Sequence, residues 1–226
     1  MTEKQVSNML SAEFTRLGVE GGGLVQFGPS SAFPHGSPEA RTLSKGDVVL
    51  IDCGCKVHGY SSDVTRTAAF GSASDEVRKV FKTVESAQSA GIAALKAGAI
   101  PQDVDRAARK VIEDAGYGEF FTHRLGHGLG MDGHESPYLV NGNTAPLVAG
   151  NVVTVEPGLE LAIGDGAIGL RAAPGAVAAE VATGYLRRPM ALADDAHLEL
   201  TVQLGTAHLP LRRIAELAVG EVISLG

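Results

Sequence analysis

The sequence predicts an α+β fold, in which helices and strands come in groups rather than in strict alternation. Two neighbouring stretches in the middle of the chain carry apolar residues at helical spacing, one running from Ser74 to Leu95 and one opening at Pro101. Short apolar or alternating runs, separated by glycine and proline, stand before and after them. With 226 residues, 44% apolar and 20% charged, the chain can bury a sizeable core. Tryptophan is absent and aromatics make up 5%, so that core must rest on Val, Leu, Ile and Ala.

Residues 3–17 read as an amphipathic helix, with Val6, Met9, Leu10 and Phe14 near helical spacing. Glycine and proline then punctuate a loop-rich stretch with one short strand at Leu24–Phe27. GDVVLIDCGCKVHGYSSDVTRT predicts a β-hairpin over 47–69 with its two-residue turn at Val57-His58, which sets Asp52 directly opposite Asp63. Ser74-Asp75-Glu76 starts a long helix whose buried stripe is Val77, Val80, Phe81, Val84 and Leu95. The next helix turns Val104, Ala108, Val111 and Ile112 inward and stops at Gly116. NVVTVEPGLEL reads as a strand of period two ending at Pro157. Composition shifts near residue 172, where an Ala/Gly-rich stretch leads to an alternating strand, a short helix and a closing strand. The expected organisation is therefore a domain over 1–171, a seam at 172–189, and a strand-helix-strand tail over 190–226.

The formal charge of −7 argues against nucleic acid and against an anionic membrane surface, since both reward basic patches. MTEKQVSNML lacks the apolar core of a signal peptide, and no run approaches the ~18–20 apolar residues of a membrane span. Cys53 and Cys55 sit two apart on one strand, where they cannot readily close a disulfide and are too few for a zinc site. They read as reduced thiols of a cytoplasmic protein.

The chemistry-bearing groups cluster in three segments. THRLGHGLGMDGHESP holds His123, His127 and His134. The first two are spaced like helical metal ligands, but Gly126, Gly128 and Gly130 make a regular helix there expensive. Such a glycine-rich loop or strand instead lets the backbone approach a ligand closely. Glu156 closes the apolar run VVTVE as Asp52 closes VVLID, and a buried carboxylate demands a partner or a metal. Facing carboxylates ~4.5–5.5 Å apart repel unless a cation lies between them. Asp52, Asp63, His127 and Glu156 make an oxygen-rich set with one imidazole, suited to Mn, Co, Fe or Zn rather than to a cysteine-type structural site.

The two aspartates eleven residues apart within DCGCKVHGYSSDVTRT, then HRLGHGLGMDGHESP, then VVTVEPG, resemble the creatinase/aminopeptidase "pita-bread" metallopeptidases, above all their Xaa-Pro aminopeptidase and Xaa-Pro dipeptidase branch. The similarity runs from about residue 3 to residue 171. It implies a pita-bread fold and two divalent metal ions, held by Asp52 and Asp63 with Asp63 bridging, and by His127 and Glu156. It implies substrate contacts for His35, His123 and His134, and a supporting role for Arg171. The implied reaction is hydrolysis of the peptide bond before proline in a small peptide by a metal-activated water. Glu156 shuttles the proton and His134 stabilises the oxyanion.

The chain departs from that pattern after Arg171. The family reads R-[IVL]-E-[DN], its glutamate being the fifth, bridging ligand; here Ala173 stands in that place. Glu180 lies beyond Pro174 and Gly175, and Asp165 precedes the arginine in a glycine-rich turn, so neither is a ready substitute. Against the family pattern the fold is incomplete at its C-terminal end, and the usual N-terminal domain is missing. Two ions are expected from the family, but losing the bridging carboxylate should weaken at least one of their sites, which leaves one ion and impaired activity as the alternative. LELTVQLGTAHLPLRRIAELAVGEVISLG resembles the first half of the C-terminal domain of flagellar-switch and type III secretion cytoplasmic-ring proteins. A generic βαβ tail remains the alternative. The exposed strand edge of a half-module would favour a homodimer. Two functions stay open: a metal-dependent Xaa-Pro exopeptidase, or a catalytically inactive pita-bread domain that binds peptides or proteins.

Overall fold

The computed structural model describes residues 1–33, 40–163, 166–171 and 177–178, with side chains through residue 161. These residues belong to the first of two compact units, Met1–Glu180. Apart from residues 177–178, the seam and tail expected at 172–226 lie outside the described residues.

Helix α1 spans Glu3–Arg16. Its start is fixed by a capping box, in which Thr2 Oγ1 accepts the Gln5 N–H and Gln5 Oε1 accepts the Thr2 N–H. Strand β1 covers Glu20–Phe27, longer than expected because it takes in the three glycines of its first half. It pairs antiparallel with β2 (Val48–Val57). On its other side β2 pairs antiparallel with β3 (Tyr60–Ser61) and β4 (Val64–Ala69), making one four-stranded sheet.

The turn of this hairpin corrects the expected register. It falls at His58-Gly59, not Val57-His58, and Asp52 pairs with Thr65 rather than Asp63. A type I′ hairpin turn, one of the two that match strand twist, needs positive φ at both central positions. His58 has φ 52° and Gly59 φ 86°, whereas β-branched Val57 would be strained there.

Helices α2 (Asp75–Ala94) and α3 (Pro101–Asp114) begin as expected, with Ser74 Oγ accepting the Val77 N–H and with proline at the first turn of α3. Val80, Val84 and Ala87 of α2 pack with Val104, Ala108 and Ile112 of α3 in the main core, alongside Leu125, Leu139, Val153, Val155 and Leu159. Strands β5 (Gly126–Gly128), β6 (Glu135–Leu139) and β7 (Val152–Val153) form a second antiparallel sheet, extended by β10 (Val177–Ala178) against β7. Strands β8 (Gly158–Ile163) and β9 (Gly166–Arg171) form a hairpin.

The expected single strand NVVTVEPGLEL is therefore broken into β7 and β8, with Thr154–Pro157 between them. Val153, Thr154 and Val155 are all fully buried, so no alternation survives. Among the described residues no helix is long and apolar enough to cross a membrane.

Candidate metal centre

His127 is the hub. It lies on β5 with no exposed surface, in a glycine-flanked strand as the glycine content demanded. Gly126 is required there, because a Cβ at that position would collide with the Thr154 carbonyl oxygen. The backbone N–H of His127 donates to Thr154 Oγ1 at 3.0 Å. Its Nδ1 lies 2.9 Å from the Gly128 carbonyl, which can only accept, so the ring carries a hydrogen at Nδ1. Nε2 then faces two carboxylates, with Glu156 Oε1 at 3.0 Å and Asp63 Oδ2 at 3.5 Å. Despite these distances Nε2 is buried without a properly aligned hydrogen bond among the described residues.

Electrostatics follow from that geometry. Burial alone would push the His127 imidazole down, but the Asp63 and Glu156 carboxylates outweigh it and pull it up to about 10. Burial likewise opposes ionisation of Glu156. His127 overcomes this, with help from the Thr154 hydroxyl and, more weakly, His123, and the carboxyl is held below its ordinary value. A site that raises one imidazole so far favours positive charge at Nε2, whether a proton or a metal ion.

The remaining groups are placed around this hub. His134 is exposed, with its ring edge-on to that of His127 and the centroids 4.2 Å apart. Asp63, His127 and His134 have ligand atoms within 4.8 Å of one another. Asp63 lies just before β4, and the hairpin that carries it also ties down the His134 loop. There the Ser61 N–H donates to the Gly130 carbonyl at 2.7 Å, and Lys56 Nζ donates to the Met131 carbonyl at 3.2 Å. Asp52 is half-buried on β2. In the observed register it is diagonal to Asp63, a relation that separates residues by ~7–8 Å and relieves the repulsion expected of a facing pair. Burial first, then the Asp52 charge, holds the Cys53 thiol above its ordinary value.

His123 is half-buried, with Nδ1 2.7 Å from the Arg124 carbonyl and its ring edge-on to Phe121. Arg171 ends β9 opposite Gly158, and its side chain lies outside the description. His35 and Ala173 also lie outside the described residues.

Two features were not anticipated. Thr154, fully buried, links His127 to Glu156 through one hydroxyl. Its signal was a polar residue two before Glu156 inside an apolar run. The second is a clasp from α3. Buried Asp105 accepts the Leu125 N–H at 3.1 Å and pairs with Arg109, which donates to the Phe121 and His123 carbonyls at 2.7 and 2.9 Å. An acid and an arginine four apart, with the acid beside the inward positions of a helix, was its trace in the sequence.

A cation fits these residues. Two carboxylates converge on the buried Nε2 of one imidazole, and hard oxygen donors with imidazole suit divalent first-row ions.

Comparison with known proteins agrees with this chemistry. The family model for metallopeptidase family M24 matches residues 1–179, and that for the type III flagellar switch regulator (C-ring) FliN C-term matches residues 192–226. An uncharacterized peptidase of Staphylococcus haemolyticus is 43% identical over 162 residues, covering 70% of this chain and 46% of its own length. The Xaa-Pro dipeptidase of Lactobacillus delbrueckii subsp. lactis is 44% identical over 136 residues, covering 60% and 37%. The solved Xaa-Pro dipeptidase from Bacillus anthracis matches with TM-score 0.73 at 36% identity, over 79% of this chain and 51% of that one. The X-Pro aminopeptidase from Thermotoga maritima gives 0.72 and 37%, over 78% and 51%. The chain thus spans less than half the length of these curated relatives and about half that of the solved ones. The matched part has their pita-bread fold. With its buried histidine between two carboxylates and a family match over residues 1–179, the chain belongs to metallopeptidase family M24.

Proposed function

We propose that this chain is a metal-dependent exopeptidase of the Xaa-Pro type, hydrolysing the bond before proline in small peptides. One observation carries the reading: the buried Nε2 of His127 between the Glu156 and Asp63 carboxylates. Asp63, His127 and Glu156, with Asp52 from β2, would hold divalent ions (Mn, Co, Fe or Zn), two in the complete family set. When bound, such ions lower the pKa of a water and polarise the scissile carbonyl.

The chain's own residues do the rest. Oε1 of Glu156 is engaged by Thr154 and faces His127, which leaves Oε2 to take up the water's proton and pass it to the leaving nitrogen. His134, exposed beside His127, is suited to donate an N–H to the carbonyl oxygen as charge builds there. His35, His123 and Arg171 are assigned to substrate contact and support. A reducing cytoplasmic setting suits the free thiols of Cys53 and Cys55. Pairing of the tail with a second copy would make a homodimer, and a monomer in light scattering at high concentration would count against it.

Ala173 favours a second reading, a catalytically inactive domain that binds peptides or proteins. Hydrolysis of Xaa-Pro dipeptides by the wild type and by Ala173→Glu, in manganese or cobalt, separates the two. The peptidase reading expects slow turnover by the wild type and a gain of at least about tenfold in the variant, the scale on which metal-bound charge stabilisation acts. No turnover by either protein leaves only the binding domain.

A further inference from the structure

Thr154 has one hydroxyl and two site residues to serve. Its Oγ1 accepts the His127 backbone N–H at 3.0 Å and stands 2.9 Å from Glu156 Oε1, while the His127 carbonyl lies farther off at 3.5 Å. A hydroxyl has a single hydrogen to donate, and the nearer, charged acceptor takes it. The direction of the chain is therefore His127 N–H to Thr154 Oγ1, then Thr154 O–H to Glu156 Oε1.

Apart from the His127 N–H, the backbone here does not depend on that hydroxyl. Thr154 N–H donates to the His127 carbonyl and Glu156 N–H to the Leu125 carbonyl, both at 2.8 Å. Gln88 of α2, buried, donates from Nε2 to the Val155 carbonyl at 2.9 Å. What remains for Thr154 is the His127 N–H and the rotation of the Glu156 carboxylate. The oxygen it holds is the one that lies 3.0 Å from His127 Nε2.

We propose that Thr154 is a positioning residue, whose hydroxyl aims Glu156 Oε1 at the cation position beside His127 Nε2. This rests on the metal-binding reading of the site. Side chains that orient a metal ligand in this way typically carry 10–100-fold of metal affinity.

The test is calorimetric titration of the full chain with Mn²⁺, for the wild type, Thr154→Val and Thr154→Ser, with the thermal midpoint of each metal-free protein measured alongside. Thr154→Val removes the hydroxyl at nearly constant shape and should bind about 10–100-fold more weakly. Thr154→Ser keeps the hydroxyl and should bind as the wild type does. A merely structural role would lower the midpoint of Thr154→Val and leave its affinity unchanged, which would overturn the proposal while sparing the metal reading. If Thr154→Val does not fold, Thr154→Ala takes its place. A folded Thr154→Ser that loses binding also overturns the proposal. Absence of Mn²⁺ binding by the wild type would overturn the metal reading, and this inference with it.

Discussion

At the scale of the residue, the property that organises this site is the charge of His127. Against burial, the Asp63 and Glu156 carboxylates raise its pKa from the ordinary 6.5 to about 10 in the folded, metal-free protein. The stability it lends is thus complete below about pH 6.5 and is lost as pH rises through about 10. In chelator, the urea midpoint of the metal-free protein should fall across that window, and a flat midpoint would contradict the ion pair. The kinds of residue in the site were legible, because carboxylates ending apolar runs and histidines among glycines are costly without a purpose. Their mutual geometry was not. The facing of Asp52 and Asp63 hung on a turn one residue out of place, and the left-handed backbone of His58 has no signature in composition. Thr154 escaped notice because a threonine in an apolar run reads equally well as a strand former.

At the scale of the element, α3 does more than fill the core. Asp105 and Arg109 hold the segment 121–125 that delivers His127, and the Arg109 guanidinium also lies 4.0 Å from the centre of the Phe121 ring. Asp105→Asn removes the charge that Arg109 faces in a buried setting and should destabilise the protein by about 3 kcal/mol, as for one partner lost from a buried pair. Urea unfolding reads this directly, and a change under about 0.5 kcal/mol, typical of an ordinary surface position, would reduce the clasp to a surface pair. The helices were legible end to end because their stripes, caps and stop signals agree, from Ser74 and Pro101 to Gly116. The break between β7 and β8 was not, since a segment buried on all sides loses the alternation that reports a strand.

At the scale of the whole molecule, the family portion and the C-ring-like portion share one chain, matched over 1–179 and 192–226. In the first, Ala173 stands where the family resemblance puts a fifth acidic ligand, and β10 at 177–178 pairs with β7. That departure was legible only through the family resemblance, since nothing in local patterning requires an acid there. If restoring it raises turnover, the remaining site was sound and only one ligand was lacking. The most direct test of the central claim is metal content per chain, by elemental analysis of the protein purified in manganese or cobalt. The convergence of Asp63 and Glu156 on His127 Nε2 predicts at least one equivalent in the wild type and its loss in His127→Ala. A wild type with essentially no bound metal would contradict the claim.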